Sequence, residues 1–123
     1  MLSHAKVKGI DPSLAAATQN SAIAIAFTFE NEKPKFHLSS ALKRELEQLF
    51  GISLADELSF FSATGKPGEL WEIPVSAGSR KCERIIFLGA GDGTLPHIRM
   101  AAVTLGRRLR GKSESVAVFI GKK

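Results

Sequence analysis

The first half of the chain contains two hydrophobic patterns, one typical of a strand and one typical of a helix. Across residues 21–29, large apolar side chains alternate with alanine and other small residues, which predicts a strand covered on both faces. Leucines then recur at helical spacing over residues 38–49, after a candidate N-cap at Ser39 or Ser40 and before Gly51. This spacing predicts a helix with one face packed on a sheet. Residues 31–34, Asn-Glu-Lys-Pro, predict a break between the two elements.

The second half predicts two strands, a glycine-rich loop, a long helix and a final strand. Residues 70–75 and 84–88 are the two strands, and the polar run between them fits a hairpin with a long loop. The helix extends from Thr94, its expected N-cap, to about Arg110, and residues 115–120 form the final strand. The predicted buried stripe of this helix consists of Leu95, Ile98, Ala102, Leu105 and Leu109.

Two weaker patterns complete the expected order of elements. Residues 6–10 predict a short edge strand, and residues 52–61 predict a short helix with a cap at residues 53–56. The order of strands and helices is typical of an α/β fold, and residues 84–120 predict a parallel, right-handed strand–helix–strand unit. We therefore expect a mixed sheet with helices on both faces.

Composition limits the class of protein. The 123 residues fit one domain, and a hydrophobic content of 44% suffices for a core without disulfides. The single cysteine, Cys82, excludes an intramolecular disulfide and suits a reducing compartment. The apolar stretch at residues 21–29 is too short to span a bilayer, and no targeting pattern precedes it. We expect a soluble cytoplasmic protein that does not contact membranes.

The positive charge of the chain is concentrated near its end. Residues 96–123 contain seven basic residues and one acidic residue, a net charge of +6, whereas residues 1–95 sum to −1. The candidate basic interaction face consists of Arg99, Arg107, Arg108 and Arg110. Such a face attracts nucleic acid or an acidic partner, or it is a solvated helix surface, and we favour the solvated surface.

The glycine-rich loop at residues 89–93, Gly-Ala-Gly-Asp-Gly, follows a buried strand and opens a helix. Backbone amides and the helix dipole favour a phosphate at such a position. The candidate anion-binding residues are Gly89, Gly91, Gly93 and Thr94. The spacing differs from that of dinucleotide-binding loops, and a tight turn that needs positive φ is the favoured alternative.

The other reactive residue types form no recognisable site. Residues 65–68, Gly-Lys-Pro-Gly, predict a hairpin turn and lack the phosphate-binding lysine pattern. His4, His37 and His97 have no partner at metal-ligand spacing, and Cys82 has no histidine near it in sequence, so it is interpreted as a buried thiol. The acidic residues are dispersed, so we expect neither a catalytic nor a metal site in these residues.

The ordered set of motifs from residue 64 to residue 110 resembles the N-terminal domain of the leucyl aminopeptidase family, which comprises cytosolic two-metal exopeptidases. The set comprises the turn at residues 64–68, the strand that follows it to residue 75, the second strand into the glycine-rich loop at residues 83–93, and the helix that ends Leu-Gly-Arg-Arg-Leu-Arg. The resemblance extends over residues 22–123. In that family the metal ligands and catalytic residues lie in a C-terminal domain around an Asn-Thr-Asp-Ala-Glu-Gly-Arg motif, which this sequence lacks.

The resemblance implies a three-layer α/β/α domain similar to the macro domains, with a mixed, largely parallel sheet. It implies that residues 1–123 are a single non-catalytic N-terminal domain, inactive alone, of a protein that continues into a catalytic domain. That missing domain would hold two Zn²⁺ or Mn²⁺ ions and bind the peptide substrate. The implied partners are this catalytic domain and further copies in a hexamer.

Two other functions remain open. One is a macro-like module that binds ADP-ribose or another nucleotide at residues 89–93. The other is a nucleic-acid-binding domain that uses the basic helix, whose affinity would fall steeply with salt.

Overall fold

The computed structural model describes residues 14–78, 80–111 and 114–120, so the strand expected at residues 6–10 and His4 lie outside the described residues. The described part is a mixed α/β domain with one five-stranded sheet. The helices are α1 (Leu14–Ala17), α2 (Ser40–Phe50), α3 (Leu54–Phe60) and α4 (Leu95–Leu109). The strands are β1 (Ala22–Glu30), β2 (Lys33–Phe36), β3 (Leu70–Pro74), β4 (Arg84–Gly89) and β5 (Val116–Phe119).

Strand β1 is the centre of the sheet. One edge of β1 pairs with β4 in parallel over residues 22–27. The other edge is divided, because β5 pairs in parallel with residues 22–25 and β2 pairs antiparallel with residues 27–30. Strand β3 pairs antiparallel with β4, which confirms the predicted hairpin of these two strands. Since β4 and β5 are both parallel to β1, they are parallel to each other, as predicted.

The break predicted after β1 is confirmed at Asn31 and Glu32, but it is a tight hairpin turn, and the strand β2 that begins at Lys33 was not predicted. Glu30 pairs with Lys33, and the two residues between them, Asn31 and Glu32, have positive φ values of 52° and 66°. Such a two-residue turn matches the twist of the strands that it joins. Pro34 is tolerated because β2 is paired only to β1 among the described residues, so the missing amide costs no ladder hydrogen bond.

The side chains of β1 alternate between two hydrophobic clusters. Ile23, Ile25 and Phe27 belong to the first cluster, which includes buried leucines of α2 and α3. The alanines at positions 22, 24 and 26 belong to the second cluster, which includes buried residues of α4 and β5. Because successive strand residues point to opposite faces, the clusters lie on opposite faces of the sheet. The predicted burial of this strand on both faces is confirmed.

The helix ends in the first cluster follow the sequence signals. Ser39 caps α2 by accepting a hydrogen bond from the Leu42 amide at 3.1 Å, and Gly51 ends this helix with φ at 68°. Ser53 caps α3 in the same way, through the Asp56 amide at 3.3 Å. Capping serines and a left-handed glycine satisfy backbone groups that a helix leaves unpaired at its ends.

The predicted buried stripe of α4 is wrong at two positions. Ala101 is buried, whereas Ala102 is exposed and Leu95 is 60% exposed. A shift of one residue rotates the contact side by about 100° around a helix. The side that faces the sheet therefore contains Ile98, Ala101, Leu105 and Leu109. In the described residues, every helix is too short or too polar to cross a bilayer.

Candidate functional site

Two loops meet at the carboxyl end of β4. The glycine-rich loop, residues 89–93, joins β4 to α4, and the turn loop, residues 64–69, precedes β3. The Gly91 amide donates to the Gly65 carbonyl oxygen at 2.8 Å, so the backbone of one loop rests on that of the other. The sequence predicted both turns separately and did not indicate that they contact each other.

Every backbone amide from Gly89 to Thr94 donates a hydrogen bond inside the chain. The amides of Gly89, Ala90 and Gly91 donate to the carbonyl oxygens of Glu69, Phe27 and Gly65 at 2.9, 2.9 and 2.8 Å. The Asp92 amide donates to His97 Nδ1 at 3.1 Å. The Gly93 amide donates to the Ala90 carbonyl oxygen at 2.9 Å, and the Thr94 amide donates to Asp92 Oδ1 at 3.0 Å. A phosphate bound by these amides would have to displace these acceptors. The geometry therefore favours the tight turn, and the anion site at Gly89, Gly91, Gly93 and Thr94 stays a prediction.

Two glycines of this loop, Gly89 and Gly91, leave no room for a side chain, and Gly91 also has a positive φ. A Cβ atom on Gly89 would overlap the backbone carbonyl oxygen of Lys66, and one on Gly91 would overlap His97 Nδ1. Gly91 also has φ at 58°, in the left-handed region that glycine occupies at little cost. Close contact between the two loops thus depends on the absence of side chains at these positions.

Glu69 fixes the turn loop from within and was not identified from the sequence. Its carboxylate accepts hydrogen bonds from the Thr64 amide at 3.0 Å and the Gly65 amide at 2.5 Å. An ionised acceptor forms stronger bonds with backbone amides than a neutral one does. Glu69 therefore holds the turn in the shape that receives Gly91.

Asp92 and His97 occupy the start of α4. Thr94 has the extended backbone of an N-cap, as predicted, but its side chain accepts no capping hydrogen bond; its hydroxyl donates to Asp92 Oδ1 at 2.7 Å. This bond and the bond from the Thr94 amide lower the pKa of the Asp92 carboxyl. The same carboxylate oxygen lies 2.7 Å from His97 Nδ1. The N-terminal end of α4 is thus already next to a carboxylate of the chain itself.

The four arginines of the candidate basic interaction face have different environments. Arg108 Nη2 donates to Glu72 Oε1 at 3.0 Å, so its charge is used within the fold. Arg108 Nε also lies 2.5 Å from Glu72 Oε2, a second ion-pair contact. Arg99, Arg107 and Arg110 are exposed, and none of their side chains forms an ion pair with a described residue.

Glu72 is the centre of an ion-pair network that the sequence analysis did not identify. Besides Arg108, Glu72 contacts Arg84, whose Nη1 lies 3.2 Å from Glu72 Oε1. Arg84 also pairs with the Glu114 carboxylate. The side chains of Glu72, Arg84 and Glu114 are only 21%, 18% and 16% exposed. The network links α4, β3, β4 and the segment before β5.

Cys82 is buried, as predicted, and its thiol donates to the Arg84 carbonyl oxygen at 3.5 Å. Burial raises the pKa of this thiol above its ordinary value. A thiol reagent should therefore modify Cys82 slowly in the folded protein at pH 8, and rapidly once urea unfolds the chain. Absorbance of the released thiolate of a disulfide reagent measures both rates. Equal rates in the two conditions would contradict the buried position.

The other reactive groups stay apart. His37 Nδ1 lies 3.1 Å from the Ile120 carbonyl oxygen, and His97 contacts the Asp92 backbone and side chain. Among the described residues, no three His, Cys, Asp or Glu side chains converge in a way that would hold a metal ion. The sequence matches no protein-family model and no curated protein.

Proposed function

We propose that this chain is the N-terminal, non-catalytic domain of a protein of the leucyl aminopeptidase type, with a macro-like three-layer α/β/α arrangement. The observation that carries the proposal is the order of elements around one mixed sheet, in which β4 leads into the glycine-rich loop and α4. The two hydrophobic clusters on opposite faces of this sheet support the three-layer arrangement.

The role of the domain in this proposal is structural. The described side chains offer no group of three or more His, Cys, Asp or Glu that could hold a metal ion, and the amides of the glycine-rich loop are already bonded within the chain. Peptide hydrolysis, with its two divalent ions, would belong to a C-terminal catalytic domain in the cytoplasm. The present domain would pack on that domain and contribute to assembly of a hexamer.

The native gene product tests this proposal. An antibody raised against the chain should detect a cytoplasmic protein several times larger than 13.2 kDa. The protein captured by this antibody should release leucine from a leucine anilide when supplied with Mn²⁺, and a chelator should abolish the release. The isolated 123-residue chain should release none under the same conditions. A native band at the mass of the chain, or a longer product without aminopeptidase activity, would reject the proposal.

The nucleotide-binding alternative makes a different prediction for the isolated chain. Saturable heat on titration with ADP-ribose would require the loop amides to exchange their internal acceptors for phosphate oxygens. We expect no binding heat, because each of the amides from Gly89 to Thr94 already has a partner. Saturable heat that disappears on Gly93→Val substitution would instead favour the nucleotide-binding module.

A further inference from the structure

Helix α4 exposes an apolar and basic surface, which we call the basic face. It consists of Leu95, Arg99, Met100, Val103 and Arg107. The three apolar residues are 60%, 48% and 52% exposed, although each is large enough to favour burial. No acidic residue occurs in α4. Arginine and methionine are enriched where proteins contact each other.

Helix α3 exposes a surface of the opposite charge, which we call the acidic face. It consists of Asp56 and Phe60, which are exposed, and Glu57, which is half-buried. Phe60 is 81% exposed, the largest value among the exposed large hydrophobic residues. Phe60 follows Asp56 by four residues and Glu57 by three, so the three side chains share one side of the helix. No lysine or arginine occurs in α3.

The two faces cannot meet within one molecule. Leu54 and Leu58 of α3 pack in the first hydrophobic cluster, and Ala101 and Leu105 of α4 pack in the second. These clusters lie on opposite faces of the sheet, so the exposed sides of the two helices point away from each other. Each molecule therefore presents a basic face on one side and an acidic face on the other.

We propose that the basic face of one copy binds the acidic face of a second copy. In this contact Asp56 and Glu57 pair with Arg99 and Arg107, and the Phe60 ring is covered by apolar side chains of α4. Arginine and carboxylate form paired hydrogen bonds, and a methionine sulfur packs favourably on an aromatic ring. The binding partner is thus a second copy of this chain, which supplies the opposite charge and the apolar surface that covers the exposed side chains.

The opposite positions of the two faces determine the symmetry of the contact. A two-fold dimer would have to form the contact of α3 with α4 twice, which requires both faces on the same side of the molecule, or would place like charges against each other. The head-to-tail contact brings opposite charges together and leaves one free face at each end of the pair. Repetition of such a contact gives a ring or an open chain of copies. This inference rests on the assembly role in the proposed function and specifies its contact; association of the isolated chain tests the contact, whereas the mass and activity of the native protein test the proposed function.

Reciprocal charge reversal tests the contact. One variant carries Arg99→Glu and Arg107→Glu, and the other carries Asp56→Lys and Glu57→Lys. Sedimentation velocity across a wide range of protein concentration should show self-association of the wild-type chain, weakened roughly tenfold or more in either variant alone. Mixing the two variants should restore association, because each reversed face then meets a complementary one.

The controls separate this contact from general charge effects and from unfolding. The exchange of Glu30→Lys and Lys35→Glu reverses an exposed ion pair on the β1–β2 hairpin and should leave association unchanged. Circular dichroism should show that all variants keep the wild-type fold. A wild-type chain that stays monomeric, or a mixture that fails to associate, would reject the proposal. Association that requires added nucleic acid or anionic vesicles would reject it as well.

Discussion

Replacing Gly89 with alanine is expected to lower the free energy of unfolding by about 3 kcal/mol. The added methyl group would overlap the backbone carbonyl oxygen of Lys66 and would also press on the Gly65 backbone. A flexible side chain could rotate away, but a backbone group moves only if the whole turn loop moves. The contact between Gly91 and Gly65 would then be lost too. Urea unfolding followed by circular dichroism measures the change.

Gly106→Ala is the matched control for this substitution. Gly106 lies inside α4, and a Cβ atom there would meet no other atom within 4 Å. Alanine is a better helix former than glycine, so this variant should be more stable by about 0.5–1 kcal/mol. Opposite signs for the two variants would support the close contact of the loops. If both variants changed the free energy of unfolding only slightly, the turn loop would move easily and would not hold the glycine-rich loop in place.

The elements that could be predicted from the sequence are those whose signals are local. The alternation in β1 and the leucine spacing of α2 lie within single elements, and the capping residues Ser39 and Ser53 are adjacent to the helices they cap. Each of these features depends on a short stretch of chain and was predicted correctly. The side-chain periodicity and the capping preferences of a short stretch of backbone are sufficient to predict them.

The features that were missed depend on residues distant in sequence. Strand β2 contains Lys33, Pro34 and Lys35, and only its pairing with β1 makes an edge strand of this polar segment. The rotation of α4 depends on how the helix meets the alanine face of β1, and the apolar spacing in α4 is compatible with more than one stripe. Intrinsic preferences are weak priors that such packing overrides.

In the candidate site, too, the local features could be predicted from the sequence and the features that depend on distant residues could not. The sequence placed the glycine-rich loop correctly between a buried strand and a helix. It did not indicate that the loop amides are bonded internally, because their acceptors include Phe27 and Gly65, far away along the chain. Nor did it indicate that Arg108 is paired, since its partner Glu72 precedes it by 36 residues. The exposed part of the basic helix is therefore smaller than its arginine content suggested.

Glu72→Gln is expected to lower the free energy of unfolding by about 2 kcal/mol. The glutamine keeps the size of the side chain but removes the charge that lies between Arg84 and Arg108. Two guanidinium groups would then lie near each other without the carboxylate that separates them. Because Glu72 and Arg84 are about one-fifth exposed, the effect should be smaller than for a fully buried pair and larger than for a surface pair.

Glu30→Gln provides the surface comparison, because Glu30 pairs with Lys35 at 3.6 Å and both side chains are more than half exposed. That substitution should change stability by at most about 0.5 kcal/mol. A double-mutant cycle of Glu72→Gln with Arg108→Gln then isolates the coupling between β3 and α4. A coupling energy close to zero, with Glu72→Gln no more costly than Glu30→Gln, would show that the network is incidental. A coupling above about 1 kcal/mol would show that Arg108 stabilises the docking of α4, which leaves Arg99, Arg107 and Arg110 as the candidate arginines available to a partner.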